Sequence, residues 1–563
     1  MQPSLPTPAR RSIACSHVNA PVFTPASAHV PSHPQAQSAA HVSIGRVRVK
    51  LMTIATLAGI AVGAVVLRLI AGVGFVNYDT LYALAWGGQL SRGSTPAYGV
   101  PIAPTPHPLA EILGVVLAPL GPHAVVEVTI ALAFIALSTC TWIVYELGAR
   151  WFGRAAGALA ALLLITRVPV ISYGVRAYVD VPYLALVLGA VLVESRRPRA
   201  GWPVLALLAA AGLLRPEAWV FSGCYWLYLI AWPVYEARRG NSANVVHPGA
   251  SASADTGGAG AGATPAGRGG IGKTPAWDFG RPRGEVVWLT LLTLSAPLVW
   301  VLSDLAITGN ALWSLTNTQH TAEELDRVTG IANVPEYIPR RIGEILRPPV
   351  LVGAALGGVL SVWWLWSRAR LATIVGVVAV IVFALLATAG LPINTRYAFV
   401  AAAVLCVFCG AGVFGWTQLR GDDPRRRWWM AGGAIVAVAL LAYTPSQYEG
   451  MHTELTKLAD QQRIEDDLVA LVKAGRIGLS CGPVGVPNHA PIPLLSLYLK
   501  TSPANIVSAQ VKQIEYGTYL DPASKEVEAD YVLDPHDPHL PVSVPPGFTE
   551  SATNRSWLVF TRC

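Results

Sequence analysis

Charged side chains are scarce in this sequence of 563 residues. Lys, Arg, Asp and Glu together make up 13% of it, hydrophobic residues make up 53%, and the mean hydropathy is +0.46. Soluble globular domains contain about 25% charged residues, so the composition excludes an ordinary soluble protein. It indicates a polytopic membrane protein of the all-α class.

The sequence also lacks a signal-peptide core ahead of its first long apolar run. Residues 1–45 are rich in Pro, Ala, Ser and His, so we expect a disordered cytoplasmic tail rather than a cleaved leader. The net charge is +8, but the basic residues form short clusters between apolar runs, where they set membrane topology. We therefore expect no nucleic-acid partner.

Roughly 20 apolar residues cross the hydrocarbon core of a bilayer, and by that measure the sequence predicts about 11 transmembrane helices. We place them at 51–73, 124–148, 154–173, 181–195, 201–215, 217–236, 285–308, 349–367, 371–391, 397–418 and 428–446.

The basic clusters between these runs all fall on one side of the predicted path, which the positive-inside rule assigns to the cytoplasm. The N-terminus and a low-complexity, flexible loop at 240–280 are then cytoplasmic, and residues 447–563 lie outside. The apolar stretch at 108–121 would break this alternation if it crossed. We expect it to lie against the outer leaflet.

Residues 447–563 return to a soluble composition and predict a small extracytoplasmic α/β domain. ELTKLADQQRIEDDLVALVKAG has helical spacing, whereas RIGLSC, ANIVSA, ADYVLD and SWLVFTRC predict strands. Cys481 and Cys563 lie in this domain, where disulfides persist, and either a bridge or two buried thiols is expected. Cys406 and Cys409 have no other Cys or His nearby, which argues against zinc.

Acidic residues recur at the outer ends of the predicted spans. Asp79 in NYDTLY follows the first span, and the apolar spacing after it predicts an interfacial amphipathic helix. Asp180 precedes a later span. Either acid, taken alone, could be only a helix cap. Further ionisable residues share this location, and such groups at membrane depth are functional hypotheses by default; they are Arg176, Arg215, Glu217 and Arg396.

Several short motifs follow one another along the chain: the acid after span one, SRGSTPAYG, PTPHPL, ARWFGRAAG and RAYVDVP. Their order resembles the GT-C superfamily of membrane glycosyltransferases, and most of all its bacterial members related to protein mannosyltransferases and aminoarabinose transferases, which implies a location in a bacterial plasma membrane. PHPL departs from the Lys-Pro-Pro or His-Pro-Pro of many members. The likeness covers about residues 51–420 and implies a GT-C-like transmembrane domain over 46–446.

The resemblance implies a polyprenyl-phosphate-linked donor and transfer of a hexosyl or pentosyl group, with inversion, to a hydroxyl of a glycan, lipid or protein on the extracytoplasmic face. Such a donor already has an activated anomeric carbon. The protein must therefore deprotonate an acceptor hydroxyl and neutralise the departing phosphate. It must also bind the polyprenyl chain of the donor, and the surrounding membrane lipids are further partners. These three requirements decide which residue types to look for.

Two acids are the candidate catalytic residues. Asp79 would act as general base, and Asp180 would orient the acceptor or, with Asp79 and His107, help hold a divalent metal ion. Arginine forks suit phosphate, although any single one could instead snorkel at the membrane surface. Glu217 is expected to pair with Arg215 or another cation rather than to act in catalysis. The candidate substrate-binding residues are Arg176, Arg215, Glu217, Arg396, Arg340, Arg341, His107, Tyr98, and Gln319 with His320 in an outer loop.

Rival functions come from other classes of many-span protein. A secondary transporter favours ionisable groups near the bilayer midplane and paired repeats, and no internal repeat is found here. A polysaccharide ligase or polymerase would rely on a large outer loop with Arg and His. A non-catalytic scaffold that presents the C-terminal domain is a further alternative.

Overall fold

A computed structural model describes residues 35–244, 282–532 and 543–563. Two compact units are separated between residues 58 and 59, and apart from the N-terminal part of the first helix the features below belong to the second. Most of the predicted tail at 1–45 and of the predicted loop at 240–280 lies outside the described residues.

Helices dominate the described residues, because a chain in a bilayer must bond its backbone polar groups within each segment. The α-helices are α1 (Gln35–Ala71), α2 (Tyr78–Ser91), α3 (Pro108–Leu117), α4 (Pro122–Phe152), α5 (Arg154–Ile165), α6 (Val168–Val175), α7 (Asp180–Arg196), α8 (Trp202–Gly212), α9 (Glu217–Asn244), α10 (Arg283–Thr308), α11 (Trp313–Glu324), α12 (Val334–Trp364), α13 (Trp366–Thr388), α14 (Phe399–Phe414), α15 (Arg425–Ala442), α16 (Thr444–Lys473), α17 (Ile492–Leu499) and α18 (Lys525–Val527).

The polytopic helical class is confirmed, and each predicted span overlaps a helix. In the described ranges, six helices are long and apolar enough to cross a membrane, or up to eight if each of two bent pairs is one span. One such pair is α5 with α6, which the sequence predicted as a single span. Helices α7 and α8 have only 17 and 11 residues. The predicted count of eleven is therefore higher than helix length supports.

Glycines allow α2 and α3 to pack closely. A side chain at Gly114 would bring its Cβ within 2.8 Å of the Leu84 carbonyl oxygen, and one at Gly87 would clash with the backbone of α3. Small residues at such contacts let helix backbones approach each other. The packing holds α2, whose first turn carries Asp79, against α3, which directly follows His107.

The C-terminal region forms a five-stranded sheet of order β2-β1-β3-β5-β4. Parallel pairs join β1 to β2 and β3, and antiparallel pairs join β5 to β3 and β4. This mixed sheet with its helices confirms the predicted α/β class. The strands are β1 (Val484–Val486), β2 (Ile506–Ser508), β3 (Gly517–Pro522), β4 (Thr549–Thr553) and β5 (Trp557–Arg562).

Two of the four predicted strands are wrong. ANIVSA contains β2 and SWLVFTRC contains β5, as predicted, but RIGLSC lies in turns before β1. The segment ADYVLD lies largely in a π-helical turn, Glu528–Val532. The Ser524 hydroxyl caps the helical turn before it by accepting from Val527 N at 3.3 Å. Short apolar runs do not by themselves distinguish strand from helix.

A disulfide joins Cys481, which precedes β1, to Cys563 after β5. Of the two expected states, the structure has the bridge. It closes a loop with a sequence separation of 82, which restricts the unfolded ensemble of the C-terminal region. The described cysteines that are free are Cys140, Cys224, Cys406 and Cys409.

Candidate active site

Asp79 lies in the first turn of α2 and does not cap it. The cap is Asn77, whose Oδ1 accepts from Thr80 N at 2.9 Å. Asp79 Oδ2 instead accepts from Arg396 Nη1 at 2.8 Å. The predicted amphipathic character of this helix is wrong, because every residue from Thr80 to Gln89 is buried. The helix packs through its glycines on α3 and is covered by α17.

A second acid, Asp180, begins α7 and again makes no cap bond. Its Oδ1 accepts from Arg215 Nη1 at 2.5 Å, and Arg215 donates from Nε to Glu217 Oε1 at 2.8 Å. These side chains are at most 6% exposed. The predicted pairing of Glu217 with Arg215 is confirmed, and the cap alternative for Asp180 is wrong.

Arg396 connects the two acids. It lies in a 3-10 turn, Thr395–Ala398, before α14, and its Nη1 is 2.8 Å from Asp79 and 3.9 Å from Asp180. The result is a continuous network of three acids and two arginines drawn from four separate segments of the chain. In a low-dielectric interior such charges interact strongly and hold each other in place.

The network opens into a cavity of about 460 Å³. Asp79, Arg215, Glu217 and Arg396 line it, whereas Asp180 does not and is 1% exposed. One wall is apolar and comes from α9, α10 and α13, with the side chains Trp219, Val220, Trp300, Val301, Leu385 and Leu386. A concave, mostly apolar site with a few convergent polar groups is typical of a ligand pocket.

His107 also lines the cavity, just before α3. It is 5% exposed, and its Nδ1 has no hydrogen-bond partner in the described part of the chain. Burial lowers the pKa of His107 to about 4, so its ring is neutral near pH 7. Burial alone would raise the pKa of Asp79, but the Arg396 guanidinium holds it below its usual value. Asp79 is thus ionised and His107 is not.

The remaining predicted arginines lie away from the cavity lining. Arg176 stacks over Tyr173 and Tyr178, with its Cζ 5.5 and 4.9 Å from the ring centroids. Arg340 and Arg341 pair with Glu344 at 3.4 and 3.0 Å. None of these three arginines is among the described residues that line the cavity.

The other three predicted substrate-binding residues, Tyr98, Gln319 and His320, also do not line the cavity and instead contact other residues. Tyr98 Oη donates to Glu111 Oε2 at 2.7 Å, and Gln319 Nε2 donates to the Ala389 carbonyl at 2.7 Å. His320 is largely exposed and pairs with Glu324 at 3.3 Å. From the sequence, the segment of Gln319 and His320 was either a loop that closes over the sugar or a solvated loop. It is the helix α11, which lines the cavity through other residues, among them Ser314, Leu315, Thr318 and Thr321.

Asp304, Arg327 and His489 are among the polar residues of the cavity lining that sequence reasoning missed. Asp304 lies within α10 and accepts from Ser314 N and Oγ, both at 2.8 Å. An acid inside a predicted span is itself a signal of function, so Asp304 could have been found. His489 belongs to the C-terminal region, and nothing in its local sequence indicates that it reaches the membrane domain.

The acids and His107 do not form the donor set that the metal hypothesis needs. Within residues 35–244, 282–532 and 543–563, no group of three or more His, Cys, Asp or Glu side chains is arranged to hold a metal ion. Asp79 and Asp180 each face an arginine instead. We therefore derive no catalytic step through a metal.

Comparison with known proteins gives only a distant likeness. Neither a protein-family model nor a curated protein matches the sequence. Crystal structures of ArnT from Cupriavidus metallidurans, one in the apo state and one bound to undecaprenyl phosphate, are each similar at 12% identity with a TM-score of 0.44. Each match covers 92% of this chain and 98% of the other. A likeness this distant assigns neither a substrate nor a residue role to this chain.

Proposed function

We propose that this protein is an integral membrane glycosyltransferase that moves a hexosyl or pentosyl group from a polyprenyl-phosphate-linked donor to an acceptor hydroxyl on the extracytoplasmic face. The observation that carries the proposal is one cavity whose lining brings Asp79, Arg215 and Arg396 together with an apolar wall. A base, a phosphate site and a lipid-facing surface are the three features that such a reaction requires.

The reaction is a single displacement. The acceptor oxygen attacks the anomeric carbon as its proton passes to Asp79, the new glycosidic bond forms, and the bond to the phosphate oxygen breaks. The phosphate leaves on the polyprenyl carrier, its negative charge held by Arg396 and Arg215. Attack from the face opposite the leaving group inverts the anomeric configuration.

Arg396 couples donor binding to the base. Its Nη1 binds Asp79, while its Nε is buried and has no hydrogen-bond partner among the described residues. That unpaired donor is suited to a phosphate oxygen. When phosphate shares the guanidinium, Asp79 is less strongly stabilised as a carboxylate, so its pKa rises toward a value useful for a general base. The base is thereby activated only when donor is bound.

A panel assay tests the function. Purified protein in lipid nanodiscs is incubated with polyprenyl-phosphate sugars and cell-envelope acceptors, with nucleotide sugars as the control donors. We expect one lipid-linked donor to be consumed with release of polyprenyl phosphate, and no nucleotide sugar to be consumed. Full recovery of every lipid-linked donor would refute the proposal.

Substitution of Arg396 tests the phosphate site. Arg396→Ala removes a charge-assisted contact worth roughly 1.5 to 3 kcal/mol, so donor KM should rise by about one to two decades. Arg396→Lys should restore it only in part, since a point charge loses the two-toothed geometry. Arg340→Ala and Arg176→Ala are the controls, because neither side chain lines the cavity. Unchanged donor KM in Arg396→Ala would remove this residue from the phosphate site.

Orientation in the membrane is a separate prediction. The basic clusters place the N-terminus and the 240–280 loop in the cytoplasm and residues 447–563 outside, and the Cys481–Cys563 disulfide supports an oxidising location for the C-terminal region. Reporter fusions after residue 260 and at residue 563 should therefore report opposite sides of the membrane. Two fusions on the same side would contradict this topology.

A further inference from the structure

His489 brings the C-terminal region into the cavity. It lies between β1 and α17 and lines the same cavity as Asp79. Its ring meets Tyr78 edge to face, with centroids 5.2 Å apart. Tyr78 precedes Asp79 in the sequence and donates from its hydroxyl to the Ile102 carbonyl at 3.0 Å. His489 therefore packs against the residue next to the proposed base.

The position of His489 is fixed by its own region. Gln510 Oε1 accepts from His489 N at 2.8 Å and lies 3.0 Å from His489 Nδ1. Because an amide oxygen cannot donate, Nδ1 must carry the proton in this contact. The neighbouring Asn488 is 3% exposed and donates from Nδ2 to the Val532 carbonyl at 2.8 Å. The loop is thus held rigidly before any substrate binds.

The C-terminal region is also held on the membrane domain. Helix α17 packs against α2, the helix that begins at Tyr78. Gln89 of α2 adds a hydrogen bond from Nε2 to the Ser502 hydroxyl at 3.3 Å. These contacts make the wall that contains His489 a built part of the cavity.

Besides Asp304 and Arg327, the cavity lining away from the charged network carries uncharged polar groups, which suit a hydroxyl-rich ligand. Thr105 and Thr318 share a hydrogen bond of 2.5 Å, and both line the cavity with Asn394 and His489. Hydroxyl and amide groups both donate and accept, as sugar hydroxyls do. The apolar wall, by contrast, comes in part from α10 and α13, which are long and apolar enough to cross a membrane, and it suits the lipid.

We propose that His489 is a substrate-positioning residue which binds a sugar hydroxyl in this cavity, and this inference rests on the proposed glycosyl transfer. The sugar ring is either that of the donor or that of a carbohydrate acceptor. Both rings present hydroxyl groups. The ligand whose affinity depends on His489 shows which of the two rings His489 binds.

Equilibrium binding tests this without turnover. Dissociation constants are measured in nanodiscs for polyprenyl phosphate, for polyprenyl-phosphate sugars and for methyl glycosides, with wild type, His489→Ala and His489→Asn. Asparagine retains an amide that can reach Gln510 but is shorter than imidazole, so this variant keeps the loop folded. His452→Ala is the control, because His452 is an exposed histidine of α16.

Loss of one sugar-hydroxyl contact should raise the dissociation constant about threefold to tenfold. A rise for the polyprenyl-phosphate sugar alone assigns His489 to the donor sugar, and a rise for the methyl glycoside alone assigns it to the acceptor. Polyprenyl phosphate should bind all variants equally. If both His489 variants bind every sugar ligand as the wild type does, or if the wild type binds none, the inference is overturned. Failure of the panel assay alone would refute only the transfer reaction.

Discussion

Replacing Asp79 with asparagine should lower the transfer rate by about 10²-fold or more, because positioned general bases contribute roughly 10² to 10⁴. Asparagine keeps the size of the side chain and its Oδ1 can still accept from Arg396, but it cannot take the acceptor proton. The fold should change little, since Arg396 retains Asp180 at 3.9 Å. Single-turnover transfer at saturating donor is the measurement.

A matched control is available for this experiment. Asp423 is also an aspartate in contact with an arginine, with its Oδ2 2.7 Å from Arg425 Nη2, but it lies outside the cavity lining among the described residues. Asp423→Asn should therefore transfer at the wild-type rate. Wild-type turnover in a normally folded Asp79→Asn protein would show that Asp79 is not the base.

Removal of Arg215 should have the largest effect on stability. Arg215→Ala leaves Asp180 and Glu217 as buried carboxylates without their main partner, and breaking a buried ion pair from one side typically costs about 3 to 5 kcal/mol. Thermal unfolding of the purified protein, followed by loss of monodisperse protein in detergent, should shift strongly downward. Transfer should also fall, because Arg215 lines the cavity beside Arg396.

Two further variants test whether the loss of stability in Arg215→Ala comes from the buried carboxylates that it leaves without a partner. Arg340→Ala breaks an exposed pair with Glu344 and should change stability by no more than about 0.5 kcal/mol. Combining Arg215→Ala with Glu217→Gln removes one of the two stranded charges and should recover part of the lost stability. If Arg215→Ala unfolds at the wild-type temperature, the network does not stabilise this fold.

The residues of the charged network were predicted from the sequence. Asp79, Asp180, Arg215, Glu217 and Arg396 were selected because ionisable residues at membrane depth are rare and need partners. The structure places all five in one network, as that physical argument requires. What the sequence could not supply was the pairing, because contacts between distant segments depend on how the helices pack.

The same selection failed where a side chain faces away from the cavity. Arg176 is also at the predicted outer end of a span, but it stacks on Tyr173 and Tyr178. Gln319 and its neighbours lie on α11, where helix geometry turns Thr318 and Thr321 to the cavity and Gln319 to Ala389. His489 was missed because it is far in sequence from every span. Residue type and position in a span predict which part of the chain carries the site. The direction in which each side chain points depends on tertiary packing.

The most direct test of the proposed carrier site is the binding of the carrier itself, since it requires neither the sugar nor the acceptor to be known. The dissociation constant of polyprenyl phosphate is compared with that of the matching polyprenol, for wild type and for Arg396→Ala. We expect the wild type to bind the phosphate at least about tenfold more tightly than the alcohol, and Arg396→Ala to lose most of that difference. Equal binding of polyprenyl phosphate and polyprenol by the wild-type protein would contradict a phosphate site in this cavity.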